Sequence, residues 1–285
     1  MLTIDAHQHF WKYHPDRHAW IDDAMKVIRQ NFMPEELQPI LQENNIDGCV
    51  SVQADQTEAE TDFLTALAKD NTFIKGIVGW VDLKAANIVD RLAHYNQFSI
   101  IKGFRHIMQG QAEGFMLQHD FLNGIRALKE FGYTYDILIY ADQLQEAIEL
   151  VKKNPDQLFV IDHLAKPTIK AGLIDNWRRD MQTIAKYENV YCKLSGMVTE
   201  ADYENWKPDE LTPYLEVVTN AFGTNKIMFG SDWPVCLVAA SYKRTIDVVK
   251  DYFKTFSKEE QEKIFGQNAI RFYHLNKIYG FAIKR

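Results

Sequence analysis

Eight short apolar runs, separated by amphipathic stretches, limit the fold of this chain more than any other feature. They cover residues 2–10, 48–54, 75–83, 100–107, 133–140, 158–164, 190–197 and 227–233. Each has strand length, and most are rich in β-branched or aromatic residues. Between them, segments 34–44, 58–69, 121–131, 143–152, 177–187 and 211–221 place apolar residues at helical spacing, as Phe63, Leu64, Leu67 and Ala68 do. Strands alternating with helices call for parallel strands joined by right-handed crossovers. Eight such units close without leaving an edge, so the expectation is one α/β domain over residues 1–285, a (β/α)8 TIM barrel. An open doubly wound sheet is the alternative. It usually carries a glycine-rich phosphate turn early in the chain, and none is visible.

Composition narrows the partners. Lys and Arg number 32 against 39 Asp and Glu, a formal net charge of −7, which argues against nucleic acid. Aromatic residues at 13% favour a small-molecule pocket over disorder. No apolar run approaches membrane-spanning length, and the first residues lack the pattern of a secretory signal. Cys49, Cys192 and Cys236 are odd in number and form no CxxC pair. They read as reduced, buried thiols, so a cytoplasmic protein is expected. A homo-oligomer is compatible with these features.

Polar residues gather where the strand-like runs end, and in a barrel those ends converge on one rim. The first run contains His7-Gln8-His9. Alternation puts His7 and His9 on one face, with Asp5 one step below, and two imidazoles so placed suit a divalent metal. The sixth closes on Asp162-His163 and the eighth leads directly into Asp232. Taken singly, His163 reads equally as a satisfied core residue and Asp232 as a turn residue. Taken together, His7, His9, His163 and Asp232 can hold a metal or orient and deprotonate a water. Alternation turns Asp162 away from His163. Arg105 ends the fourth run and can clamp a carboxylate or polarise a carbonyl. Lys193 lies inside an apolar run and needs a partner or a pocket. Gln53, Trp80, Tyr140 and Trp233 close other runs as candidate pocket walls. Segment 10–19, with Trp11, Tyr13, His14 and His18, reads as a long first loop, either roofing the site or packed on the surface.

These residues resemble those of the amidohydrolase superfamily, with its HxH on the first strand, a histidine on a later strand and an aspartate on the eighth. Longer motifs are similar to its sugar-lactone hydrolase branch. They are His7-Gln8-His9-Phe10-Trp11, Phe32-Met33-Pro34-Glu35-Glu36-Leu37, Val50-Ser51-Val52-Gln53-Ala54, Gly103-Phe104-Arg105-His106, Asp162-His163-Leu164-Ala165-Lys166-Pro167, Lys193-Leu194-Ser195-Gly196, Phe229-Gly230-Ser231-Asp232-Trp233-Pro234-Val235-Cys236 and Asn268-Ala269-Ile270-Arg271-Phe272-Tyr273. The resemblance implies metal or catalytic roles for His7, His9, His163 and Asp232, and substrate contacts for Arg105, Tyr140 and Lys193. It departs from the two-metal pattern. Lys193 stands where a further histidine is expected, and Lys102 is the only mid-barrel bridging candidate. At most one divalent ion, Zn2+, is therefore expected, in a branch that also includes metal-independent members.

The activity implied is opening of a sugar lactone, of the L-fuconolactone or L-rhamnonolactone kind, to its aldonic acid. Asp232 would serve as general base, and Arg105 or Lys193 would stabilise charge on the carbonyl oxygen. A related decarboxylase or a hydrolase of aromatic or dicarboxylate lactones is the alternative, and it would need more cationic rim groups. A binding barrel without catalysis is a third reading, opposed by the intact four-residue set.

Overall fold

The structure, a computed structural model, describes residues 2–275. Eight strands form one parallel sheet in sequence order: β1 Ile4–Gln8, β2 Gly48–Val52, β3 Ile74–Gly79, β4 Ile101–Ile107, β5 Thr134–Leu138, β6 Phe159–Ile161, β7 Val190–Leu194 and β8 Ile227–Phe229. All eight expected strands are present. The sixth and eighth are shorter than their apolar runs, because the chain leaves extended geometry at His163 and Asp232, both at positive φ.

Outside lie α1 Pro34–Glu43, α2 Glu58–Asp70, α3 Ile88–Tyr95, α4 His119–Glu130, α5 Leu144–Lys153, α6 Asp175–Ile184, α7 Met197–Glu200, α8 Pro208–Phe222 and α9 Tyr242–Phe253, followed by α10 Lys258–Glu262 and α11 Asn268–Phe272. Local chemistry starts several of them. The Thr57 side chain accepts from Glu60 N at the head of α2, and Ser241 does the same for Arg244 N at α9. Pro34 and Pro208 occupy first turns, where no N–H is needed. Helices α3 and α9 were not among the expected segments. Their stripes, Ile88-Leu92-Tyr95 and Tyr242-Thr245-Ile246-Val249-Phe253, are short but regular, and all these residues are buried.

Two apolar layers result. The outer one packs strand residues such as Cys49, Ile77, Phe104, Ile137 and Leu194 against the helices. The inner one fills the N-terminal part of the barrel with Ile4, Ala6, Val50, Val52, Val78, Val160 and Met228, closed by Phe272 and Tyr273. Above this plug the interior turns polar, with Asp136, Asp162, Lys193 and His7 fully buried. Among the described residues no helix is long and apolar enough to cross a membrane.

The seam between β1 and β8 is closed at its C-terminal end. There His9 N donates to Trp233 O (2.7 Å) and Asp232 N donates to His7 O (2.8 Å). Pairing of β1 with β2 shifts register between Asp5 and Gln8. This bulge breaks simple alternation. Asp5 therefore does not sit below His7 on the same face, as expected. It accepts from Tyr242 of α9 (3.0 Å) and from Ser231 N (2.9 Å), while His7 turns inward toward Lys193.

Candidate active site

His7 and His9 meet at the C-terminal mouth with their Nε2 atoms 3.1 Å apart. Asp232 Oδ1 lies 3.4 Å from His9 Nε2, 3.8 Å from His7 Nε2 and 3.9 Å from His163 Nε2. Three imidazoles from β1 and the end of β6 thus surround one carboxylate oxygen from the end of β8. The other ring nitrogens are occupied. His9 Nδ1 lies 2.7 Å from Val52 O, and His163 Nδ1 lies 2.8 Å from Ser195 Oγ. A carbonyl can only accept, so His9 carries a proton on Nδ1 and turns its Nε2 to the centre. Burial pushes the His7 and His163 pKa values well below the usual imidazole value, which keeps both rings neutral at pH 7. Burial works to raise the Asp232 pKa, but His163 and the hydrogen bond from His9 outweigh it and hold the value low. The carboxylate is ionised at neutral pH.

The donor set fits a single divalent cation. Tetrahedral zinc with bonds of about 2.0–2.1 Å separates its ligand atoms by about 3.3 Å. The spacings here bracket that value at 3.1 to 3.9 Å. His7, His9 and Asp232 form one metal-capable trio, and His7, Asp162 and His163 form another.

Two glycines make room for the rings. A Cβ on Gly230 would lie 2.6 Å from His7 Cβ, and one on Gly196 would lie 2.6 Å from His163 Nδ1. His163 itself opens a run of four non-glycine residues at positive φ: His163, Leu164, Ala165 and Lys166. This is one turn of left-handed helix, closed by Lys166 N donating to His163 O (2.7 Å). Left-handed geometry costs about 1–2 kcal/mol per non-glycine residue. The turn is anchored by Trp177, whose Nε1 donates to Leu164 O (2.7 Å). It places His163 and Lys166, three residues apart, on the same cavity.

That turn also corrects the reading of Asp162. Val160 faces inward and Ile161 outward, so alternation carries Asp162 inward, and the left-handed turn brings His163 to the same side. Asp162 points into the barrel, where it pairs with Arg105 NH1 (3.0 Å) and Lys193 Nζ (3.0 Å) and lies 3.4 Å from His7 Nδ1. Lys193 also pairs with Asp136 (2.5 Å) and lies 3.1 Å from His7 Nδ1. Burial pushes the Asp136 carboxyl up to about 6 in spite of Lys193, whereas Lys193, His7 and Arg105 overcome burial at Asp162 and hold it well below the usual carboxylate range.

A cavity of about 400 Å³ opens above the cluster. His9, Arg105, Tyr140, His163 and Asp232 line it, as do Trp20, Met25, Gln109, Lys166, Glu200 and Tyr203. Five sequence candidates therefore share it. Lys193 does not. It is fully buried beneath His7, which is itself fully buried and outside the cavity lining, so it is not a substrate contact. Gln53 is also fully buried, and its backbone and side-chain oxygens accept from Arg105 NH2, so it positions Arg105 instead. Trp233 is 1% exposed, with its ring against Phe10 and Phe32 below the first loop. Trp80 is turned toward His106, to which its Nε1 donates (3.4 Å). Neither tryptophan lines the cavity. Lys102 lies far from the mouth, its Cγ beside Gly76 near Leu275. In the first loop, Trp11 and His18 are packed, while the continuation brings Trp20 and Met25 to the cavity.

Other residues emerge only with the structure. Asp136 sits between Tyr135 and Ile137, a charge in an apolar strand, which is the signal that singled out Lys193. Glu200 carries no such signal, because α7 has four residues and no periodicity to read.

Comparison with known proteins agrees with this arrangement. The amidohydrolase family model matches residues 4–275. An L-fucono-1,5-lactonase of Burkholderia multivorans is 35% identical, with 96% of each chain covered. An L-rhamnono-gamma-lactonase of Scheffersomyces stipitis is 26% identical, covering 63% of this chain and 61% of that one. The crystal structure of an amidohydrolase from Burkholderia multivorans with bound zinc superposes with a TM-score of 0.93 at 34% identity, covering 96% of this chain and 99% of that one. The chain belongs to the amidohydrolase family.

Proposed function

We propose that this protein is a lactonase that opens a sugar lactone to its aldonic acid by attack of an activated water. The observation that carries this is the ionised Asp232 carboxylate, ringed by three imidazoles at the floor of a 400 Å³ cavity. Asp232 accepts the proton of the attacking water and returns it to the ring oxygen as the C–O bond breaks. Charge on the carbonyl oxygen needs a donor. Arg105 supplies one, since it lines the cavity with its guanidinium held in place by Asp162 and Gln53. His7, His9, His163 and Asp232 would hold one Zn2+, which when bound supplies Lewis-acid character that eases deprotonation of water.

The substrate is neutral. The cavity is lined by two cationic side chains among the described residues, and both are paired: Arg105 with Asp162 and Lys166 with Glu200. A dicarboxylate or benzoate substrate would demand unpaired cations. This reading and the substrates in the relatives' names favour L-fuconolactone or L-rhamnonolactone over the aromatic alternatives. The three cysteines are free and buried, in keeping with a reducing cytoplasm, and a sugar-lactone substrate would place the enzyme in carbohydrate metabolism.

A panel of aldono-1,4- and 1,5-lactones, followed by acid release with a pH indicator, with and without added Zn2+, tests the proposal. Turnover of at least one six-carbon sugar lactone is expected. Turnover confined to carboxylated aromatic lactones would sink it.

A further inference from the structure

Lys166 and Glu200 face the cavity as a bonded pair, with Nζ 2.9 Å from Oε1 and each side chain 20% exposed. Nothing in the hydrolytic step uses them. Yet the left-handed turn that delivers His163 to Asp232 also delivers Lys166, at the cost in backbone strain described above. Glu200 comes from a separate element, the end of α7. Two elements therefore converge on a partly open ion pair beside the reacting groups.

We propose that Lys166 and Glu200 together read two neighbouring hydroxyls of the lactone and so determine which sugar is accepted. The assignment rests on the lactonase reading. An ammonium has three donors and a carboxylate about four acceptor sites, so after bonding each other both keep capacity to spare. The pair carries no net charge. An anionic ligand gains little from Lys166 while Glu200 repels it, and a cationic ligand meets the reverse. A hydroxyl both donates and accepts, and two adjacent ring hydroxyls can span a donor and an acceptor in van der Waals contact. Because Lys166 lies one turn from His163, a sugar held there is fixed relative to Asp232. Specificity of this kind acts on kcat/KM, since the wrong epimer leaves a partly buried charge without its hydroxyl.

The experiment crosses enzyme variants with substrate variants. Wild type, Lys166→Met and Glu200→Gln are assayed on the best lactone of the panel and on its analogues, each lacking one hydroxyl. Both substitutions keep side-chain bulk, and circular dichroism and melting profiles identify folded variants. If Lys166→Met fails to fold, the near-isosteric Glu200→Gln decides alone. On the parent lactone each variant is expected to lose about 10- to 100-fold in kcat/KM, the loss of one hydrogen bond to a charged group. On the analogue lacking the hydroxyl that is read, variant and wild type should agree within about twofold. Equal losses on every lactone, or no loss on any, would overturn the assignment while leaving the lactonase reading intact. Wild-type protein inert on all lactones would overturn both.

Discussion

Lys193→Met tests whether the buried charges beneath His7 are a balanced unit. Asp136, Asp162, Lys193 and Arg105 have side chains no more than 3% exposed and together carry two charges of each sign. Methionine keeps the length of the stem but removes the cation. Breaking a buried pair from one side costs about 3–5 kcal/mol, because the partner is left charged and unsolvated. The protein can relieve part of this by protonating Asp136, whose carboxyl already stands at about 6 with Lys193 present. A raised carboxyl pKa favours the folded state in acid and loses that contribution as pH rises through the folded value. Without Lys193 the folded pKa of Asp136 moves further up. Above pH 6 the folded variant then holds a proton that the folded wild type has released. The stability difference between the two proteins should therefore widen with pH, by about 1.4 kcal/mol per unit and so by as much as about 2.7 kcal/mol between pH 6 and pH 8. Urea unfolding of both proteins at pH 6, 7 and 8 measures it. Kinetically, kcat should fall with KM nearly unchanged, since Lys193 touches His7 and not the cavity. A stability loss that stays constant with pH, or a loss expressed mainly in KM, would refute the reasoning.

Other substitutions probe the site itself. Asp232→Asn is nearly isosteric but cannot accept a proton, so lactonase kcat should drop about 10²- to 10⁴-fold or more with the circular dichroism spectrum unchanged. Near-full turnover would remove Asp232 from the role of base. Gly230→Ala forces a Cβ to 2.6 Å from His7 Cβ and 3.2 Å from Ser195 Cβ. Displacing the ring by about 1 Å should cost about 100-fold in kcat, and wild-type kinetics would show that the seam yields without moving His7. Elemental analysis of protein equilibrated with Zn2+ should find at most one equivalent per chain, reduced in His9→Asn. Two tightly held equivalents would contradict the reading of Lys193 as an occupant of the second-metal position.

The barrel was legible because parallel strands buried on both faces read as apolar runs, and eight of them have few other arrangements. The cluster of His7, His9, His163 and Asp232 was legible because polar residues at the ends of such runs have one rim to share. What failed were inferences that assumed ideal strands. Asp5 was placed on the wrong face because the bulge in β1 adds a residue that no local pattern announces. Asp162 was turned away from His163 because four consecutive left-handed residues, which bring both to one side, were unforeseeable from Leu164, Ala165 and Lys166, none of which favours that geometry. Trp80 and Trp233 stand at strand ends, yet their rings turned to His106 and to the packed first loop. Position on a strand fixes a Cα, whereas the direction of a large side chain depends on which neighbours arrive.

The hydrogen bonds that join β1 to β8 use the backbone of His7, His9 and Asp232, and this has a kinetic consequence. Those residues are separated by more than two hundred positions, so the contact that completes the ring is among the most non-local in the chain. Closing so long a loop is entropically costly and belongs late in folding. A nascent chain that has made seven strands holds both histidines of β1 and His163, but has neither the carboxylate nor the groove in which His7 packs against Gly230. Hydrolytic activity should thus appear during refolding together with the final docking of β8, not with the earlier gain of helix. Recovery of turnover is then a direct clock for ring completion.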